Sequence, residues 1–303
     1  PALTPATNER LMSFGRLWAF LKYHHPRLGY GDLDWDAAFV ETVPQVLAAH
    51  DRDTYAAAVA ALLARLEDPV TRLDYPPTAV PAAPPLPAPA SDFALLEADG
   101  ILTIRLGTAP IPELMDSIDR AWPKIQAARR IILDLRALPN PWAGQELFRA
   151  LQLDIGLVKT PTAGPAERWR QHRGYASPIG AGGYYSAFVT SDGPVFRTSS
   201  QSADARCVFI TRRAIPDVAL ALQAQGRAAI IVEGTFEETP FVRTTPWPLP
   251  EKLRATVRLT ERVYPDGRAG IVPDILVPPA LVAAPGDEAD RLARAWLRGE
   301  TLP

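Results

Sequence analysis

Seven prolines crowd residues 76–89, and the sequence changes character across them. Proline fixes φ and removes a backbone donor, so this stretch belongs to no helix and no inner strand. It reads as an extended strap or linker with polyproline geometry. Before it, apolar residues recur every three to four positions, the signature of amphipathic helices. Leu11, Phe14, Trp18 and Leu21 form one stripe, which should stop near His25 because Pro26 disfavours helix in its predecessor. A second helix is expected from Asp34–Trp35, with Pro44 kinking or dividing it. A third carries Tyr55, Val59, Leu62, Leu63 and Leu66, with Asp53 able to cap it.

After the strap the period becomes that of strands alternating with helices. Residues 101–106, 131–135, 207–210 and 228–232 are short apolar runs, the pattern of strands buried on both faces of a parallel sheet. Helical segments fall between them, at 111–127, 142–153 and 216–225, which argues an α/β core with right-handed crossovers. Residues 253–263 alternate, Pro265-Asp266-Gly267 is turn chemistry, and residues 270–277 read as the returning partner strand. Residues 161–203, rich in Gly, Ser and Tyr without a clear period, read as a long loop excursion. The expected organisation is a helical subdomain over 1–75, a linker over 76–91 and an α/β core over 92–303.

Composition excludes several classes. A net charge of −2 gives no global field favouring nucleic acid. No apolar run approaches the ~20 residues of a membrane span. One cysteine, Cys207, leaves no internal disulfide framework and no thiolate-rich metal site, and nothing in the pattern asks for a cofactor or a metal. Lysine occurs only at 22, 124, 159 and 252, so a catalytic lysine has few places to be.

Several blocks, in order, resemble the tail-specific (C-terminal-processing) serine proteases, whose core is crotonase-like. The helix from Leu17 to Pro26, followed by Asp34-Trp35-Asp36, is similar to their N-terminal helical region. Leu66-Glu67-Asp68-Pro69-Val70-Thr71 stands where many members have Leu-x-Asp-Gly-His-Thr. Ile132-Leu133-Asp134-Leu135-Arg136 resembles their Asp-Leu-Arg strand, and Gly270 to Val277 resembles their Gly-Val-x-Pro-Asp-x-x-Val block. The resemblance implies a helical subdomain followed by a twisted sheet with flanking helices, a bacterial origin and an extracytoplasmic or periplasmic location.

The catalytic positions that the resemblance assigns do not carry the chemistry. Pro216 stands at the nucleophile position and has no hydroxyl. Val70 replaces the base histidine, and residues 217–251 contain no lysine. Asn140 and Pro141 replace the Gly-Gly pair of the oxyanion site, and proline has no N–H to donate. Asp217 keeps an N–H at the helix start. His24 and His25 read as polar groups at a helix end.

What remains is a recognition surface: Trp169, Arg170, His172 and Arg173, then Tyr184 and Tyr185 in a glycine-rich run, with Asp217. Tyrosine offers contact area with a polar tip, and arginine captures carboxylates through its fork. Because the family reads peptide C-termini, the resemblance implies a peptide or protein partner held through a terminal carboxylate. The leading expectation is therefore an inactive, peptide-binding domain on a protease fold. A working serine-type peptidase with a non-standard site is the first alternative, and a carrier of a small apolar ligand is the second.

Overall fold

The computed structural model describes residues 3–75, 86–90, 92–140, 143–177, 180–200 and 202–300. Its elements run, in chain order, as follows. Helices α1 (Pro5–His24), α2 (Trp35–Ala48) and α3 (Arg52–Ala64) come first, then β1 (Arg72–Leu73), β2 (Ala94–Ala98) and β3 (Ile101–Arg105). Next are α4 (Ile111–Ala127), β4 (Arg130–Asp134), α5 (Ala143–Ala150), α6 (Leu153–Gly156) and β5 (Thr162–Ala163). Then come β6 (Ala166–Ser177), β7 (Gly180–Thr190), β8 (Val195–Phe196), β9 (Arg206–Thr211), α7 (Asp217–Ala224) and β10 (Ala228–Glu233). The last are β11 (Thr244–Pro248), β12 (Arg254–Arg258), β13 (Thr260–Val263), β14 (Ile275–Val277), α8 (Pro279–Val282) and α9 (Glu288–Arg298).

The chain forms two compact units. The first comprises Pro1–Pro81, Glu167–Ser191 and Glu238–Arg262; the second comprises Ala82–Ala166, Asp192–Glu237 and Val263–Pro303. The division differs from a plain split at the strap, since two later segments join the helical unit. Most of the strap, 76–85 and 91, lies outside the described residues; 86–90 run without regular structure.

In the first unit the helices start on side-chain caps. The Thr4 hydroxyl accepts from Thr7 N–H at 3.1 Å, and Asp34 accepts from Ala37 N–H at 2.9 Å. Asp51, not Asp53, caps α3 through a reciprocal box with Thr54. Helix α2 runs on past Pro44 instead of dividing. Pro44 is exposed, so the missing N–H faces solvent, while buried Thr42 and Val46 hold the helix on both sides. Phe14, Leu17, Leu21, Tyr55, Val59 and Leu62 share a core with Ala255 and Val257 of the β1–β12–β11 sheet and with Leu253 just before β12.

Residues 166–190 form a long antiparallel hairpin, β6–β7, within the sheet β13–β6–β7. This corrects the expected loop excursion over 161–203. Its alternation escapes a hydropathy reading because both faces mix arginine, aromatic and small residues.

The second unit is built on a six-stranded sheet in the order β14–β10–β9–β4–β3–β2. All neighbours are parallel except β2 on β3. Ile132, Val208, Ile210, Ala229, Ile231 and Val277 pack on Ala289, Leu292, Ala293 and Leu297 of α9. Residues 275–277 therefore pair with β10 and not, as expected, with 253–263. Val277 is buried among these strands, and the local turn keeps a Val263–Ala269 bridge and the Tyr264 N–H bond to the Arg268 carbonyl. The mixed α/β class, with N-terminal helices ahead of the sheets, is the one the sequence implies.

Candidate functional site

The second unit contains the strand–turn–helix at which the resemblance places a nucleophile. Strand β9 ends at Thr211, and α7 begins after Pro216, its N-cap. Thr211 Oγ1 donates to the Ala214 carbonyl at 2.8 Å and accepts from Arg213 N–H at 3.2 Å. That hydroxyl is buried and spent on the turn. Pro216 is buried too. Gly144 at the start of α5 lies so close that a Cβ there would stand 3.5 Å from Pro216 Cδ and 3.2 Å from Ala214 Cβ.

The first amides of a helix carry partial positive charge and suit a developing anion. Here the Asp217 N–H donates to Gln145 Oε1 at 2.9 Å. A neutral side-chain carbonyl therefore occupies the place an oxyanion would need. Asn140 is exposed in the bend before α5, and Pro141 lies outside the described residues. Val70 belongs to the first unit, buried, with its N–H donated to Asp68 Oδ1 at 3.1 Å.

The hairpin brings together the six expected recognition residues of the first unit and divides them by strand period. Arg170, His172 and Tyr184 share one face. Arg170 donates to the Lys22 carbonyl, so its guanidinium serves the end of α1. His172 lies between Tyr23 and Tyr184, ring centroids 4.1 and 5.7 Å away, and its Nδ1 meets Ser186 Oγ at 2.7 Å. Tyr184, at the end of that stack, is 81% exposed. Trp169, Arg173 and Tyr185 lie on the opposite face, where Trp169 stacks under Arg243 at 5.3 Å. Arg173 is exposed and makes no ion pair among the described residues. Asp217 belongs to the other unit.

A polar cluster that the sequence reading missed lies in the first unit. His25, read as a helix-end residue, is fully buried. Its Nδ1 accepts from Arg27 N–H at 3.2 Å, which puts the ring proton on Nε2. That nitrogen stands 3.0 Å from Asp68 Oδ2 and 2.8 Å from Thr71 Oγ1. Arg258 donates to Asp68 and Glu238. Hydroxyl, imidazole and carboxylate are all present, but acid and hydroxyl crowd one ring nitrogen. A relay needs them on opposite nitrogens, so the cluster braces the fold.

Burial alone would raise the Asp68 carboxyl. The His25 hydrogen bond and the Arg258 charge overturn that and hold it below the carboxylate range. Burial pushes His25 down, against the pull of Asp68. The signal available was Asp68-Pro69-Val70-Thr71 read together with His25.

A second polar cluster lies at the C-terminal edge of the parallel sheet, in the second unit. Arg136 forks onto Asp134, with Nε to Oδ1 at 2.9 Å and Nη2 to Oδ2 at 2.8 Å. It forks again onto Asp287, at 3.0 and 2.8 Å, and reaches Glu233 Oε1 at 2.7 Å. All five N–H donors are used. Burial works against the charge, but the bonds to Asp134 and Asp287 raise the Arg136 pKa above its ordinary value. Cys207 is inert: burial pushes its thiol up to about 12. Among the described residues no three His, Cys, Asp or Glu side chains are placed to hold a metal, and no helix is long and apolar enough to cross a membrane.

No family model and no curated protein matches the chain. Solved structures do. A candidate peptidase from Parabacteroides merdae superposes with a TM-score of 0.54 at 12% identity, covering 93% of this chain and 98% of its own. Mature CPAF gives 0.54 at 8% identity over 99% of each chain. The photosystem II D1 C-terminal processing protease follows at 0.44 and 13% identity over 97% of each, too distant a match to weigh. The neighbours have tail-specific-protease-like folds. At these identities the likeness shows a fold of that kind and nothing of activity.

Proposed function

We propose that this chain is a non-hydrolytic domain on a tail-specific-protease-like fold that binds an extended peptide or protein segment. One observation carries the first half. The turn into α7 offers buried Pro216 where a hydroxyl is required, and Gln145 fills the amide site beside it. Catalysis would need a nucleophile, a base and oxyanion donors together. The proposal includes the extracytoplasmic location that the resemblance implies.

The hairpin supports the second half. Strand β7 ends its sheet and carries neither a charged residue nor a proline over residues 180–190. Natural edges of that length are usually charged, bulged or covered, and an extended peptide can add to such an edge. Arg173 and Tyr185 on the outer face supply a carboxylate partner and a contact surface.

The test is labelling by a fluorophosphonate probe, with casein as substrate and a fluorescein-labelled acidic peptide as ligand. The chain should neither label nor cleave. Pro216→Ser should stay unlabelled, because one missing oxyanion donor costs on the order of 10²–10³ in rate and a missing base about 10²–10⁴ more. Peptide affinity should fall in Arg173→Ala and Tyr185→Ala. Turnover abolished by a single Ser or Thr substitution would overturn the first half. Peptide binding indifferent to both hairpin variants would overturn the second.

A further inference from the structure

The face of the six-stranded sheet that meets α9 changes chemistry along its strands. Successive same-face residues run Ile132, Asp134 and Arg136 on β4 and its extension, Ile210 and Arg212 on β9 and the residue after it, and Ile231 and Glu233 on β10. On β3, Thr103 meets Arg294 of α9 at 3.4 Å, so Arg105, two residues on, continues the same face. The apolar layer under α9 thus gives way at the C-terminal edge to a layer of charges. In open α/β sheets, ligands bind in the crevice at that edge.

A cleft of ≈ 210 Å³ opens there, within the second unit. Its charged wall is Arg105, Arg136 and Arg212 with Glu233, Asp287 and Glu288; Val277, Val282 and the strap residues Pro87 and Pro89 supply an apolar side.

The three arginines are not equivalent. Arg136 is saturated by carboxylates. Arg212 donates Nε to Glu233 at 2.9 Å and Nη1 to the Pro87 carbonyl at 2.7 Å, and its Nη2 has no partner among the described residues. Among the described residues Arg105 makes one hydrogen bond, Nε to Asp134 at 3.5 Å, and neither terminal nitrogen has a partner. Guanidinium groups this enclosed, at 25% and 15% side-chain exposure, call for acceptors.

We propose that this cleft binds a short-chain monocarboxylate. Its carboxylate is received by the open N–H groups of Arg105 and Arg212, and its aliphatic end lies against Val277, Val282 and the strap prolines. A planar carboxylate matches the guanidinium fork. A single charge is favoured because three arginines already face Asp134, Glu233 and Asp287, and Glu288 is engaged by Arg291 at 2.6 Å. A second negative charge would find no positive charge left to balance it. The site is independent of the proposed peptide binding.

The test is calorimetry on the full chain with sodium butyrate, at ionic strength fixed with sodium chloride. Butyramide, of the same shape without the charge, and inorganic phosphate serve as comparators. Butyrate should bind saturably at one site, and both comparators at least about tenfold more weakly. Arg105→Gln and Arg212→Gln should each weaken butyrate about tenfold, the scale of a lost charge-assisted bond, with circular dichroism unchanged. If Arg212→Gln unfolds the unit by freeing Glu233 and the strap, Arg105→Gln alone decides, since it breaks only one long contact. Butyrate no tighter than butyramide, phosphate tighter than butyrate, or butyrate affinity unmoved by Arg105→Gln would each overturn the proposal.

Discussion

Arg136→Met removes the guanidinium on which the charged layer converges and keeps much of its bulk. The side chain is 12% exposed, beside Asp134 at 6% and Glu233 at 4%. Breaking a buried ionic network by deleting one partner costs about 3–5 kcal/mol, because the other charges stay buried and unpaired. Glu233 keeps Arg212 at 2.9 Å, whereas Asp134 keeps one cation, Arg105, at 3.5 Å and the backbone N–H of residue 136 at 3.2 Å among the described residues, so Asp134 is the group left most exposed to that cost. At about 2–4 °C per kcal/mol for a body this size, the melt should fall by roughly 10 °C. Arg136→Lys, which keeps the charge without the fork, should lie between.

The pH dependence supplies the sharper check. Burial would raise the Asp287 carboxyl, but the Arg136 hydrogen bond outweighs burial and lowers it. A depressed carboxylate contributes stability above its ordinary value of 3.8, and that contribution disappears as pH falls through the folded value. The gap between wild type and Arg136→Met should therefore narrow in melts taken below about pH 4. A variant within about 1 kcal/mol of wild type at pH 7, the usual range for ordinary substitutions, would refute this reasoning. So would a gap as wide at pH 3 as at pH 7.

Two further outcomes follow from the first unit. His25 is held neutral below its ordinary value of 6.5, so unfolding takes up a proton and stability should decline as pH falls from about 6.5; chemical denaturation across pH should show that limb in wild type and a shallower one in His25→Gln, where His24, also lowered by burial, still contributes, while the limb from Asp68 below about pH 4 persists. Gly29→Ala would set a Cβ 2.3 Å from Phe188 Cζ and push the hairpin off the Pro26–Gly29 turn, for a loss of about 1–3 kcal/mol in the same measurement.

Helix stripes and buried parallel strands were legible because each repeats one period over many residues. α3 and β9 are the clearest cases, with their apolar positions unbroken. The β6–β7 hairpin was not legible, because a ribbon with Arg168, Arg170 and His172 on one face and Trp169, Gln171 and Arg173 on the other has no apolar side to alternate against. His25 was misread for a related reason. Its partners Asp68 and Thr71 stand more than forty residues away, and nothing local distinguishes a buried imidazole from a frayed helix end. The Arg136 network was half legible. The i, i+2 spacing of Asp134 and Arg136 puts them on one strand face, but Glu233 and Asp287 arrive from β10 and the start of α9, which only the fold brings near.

Under the proposed reading, these two polar clusters explain how the fold can stand without the chemistry. Neither the buried His25 group nor the Arg136 layer is hydrogen-bonded to Pro216 or Asp217 among the described residues, so a proline at position 216 leaves both intact. A hydroxyl at position 216 would have to stay accessible to act, and the amide of residue 217 would have to stay open. In this chain both are closed by packing: the proline ring, whose fixed φ suits a helix start, rests on Gly144, and Gln145 satisfies an amide that the helix itself leaves without a partner. Each closure stabilises the turn it occupies and removes a feature catalysis would require. Under the proposed non-hydrolytic reading, activity at this turn would mean undoing contacts as well as adding groups, and a serine at 216 would meet a site already filled.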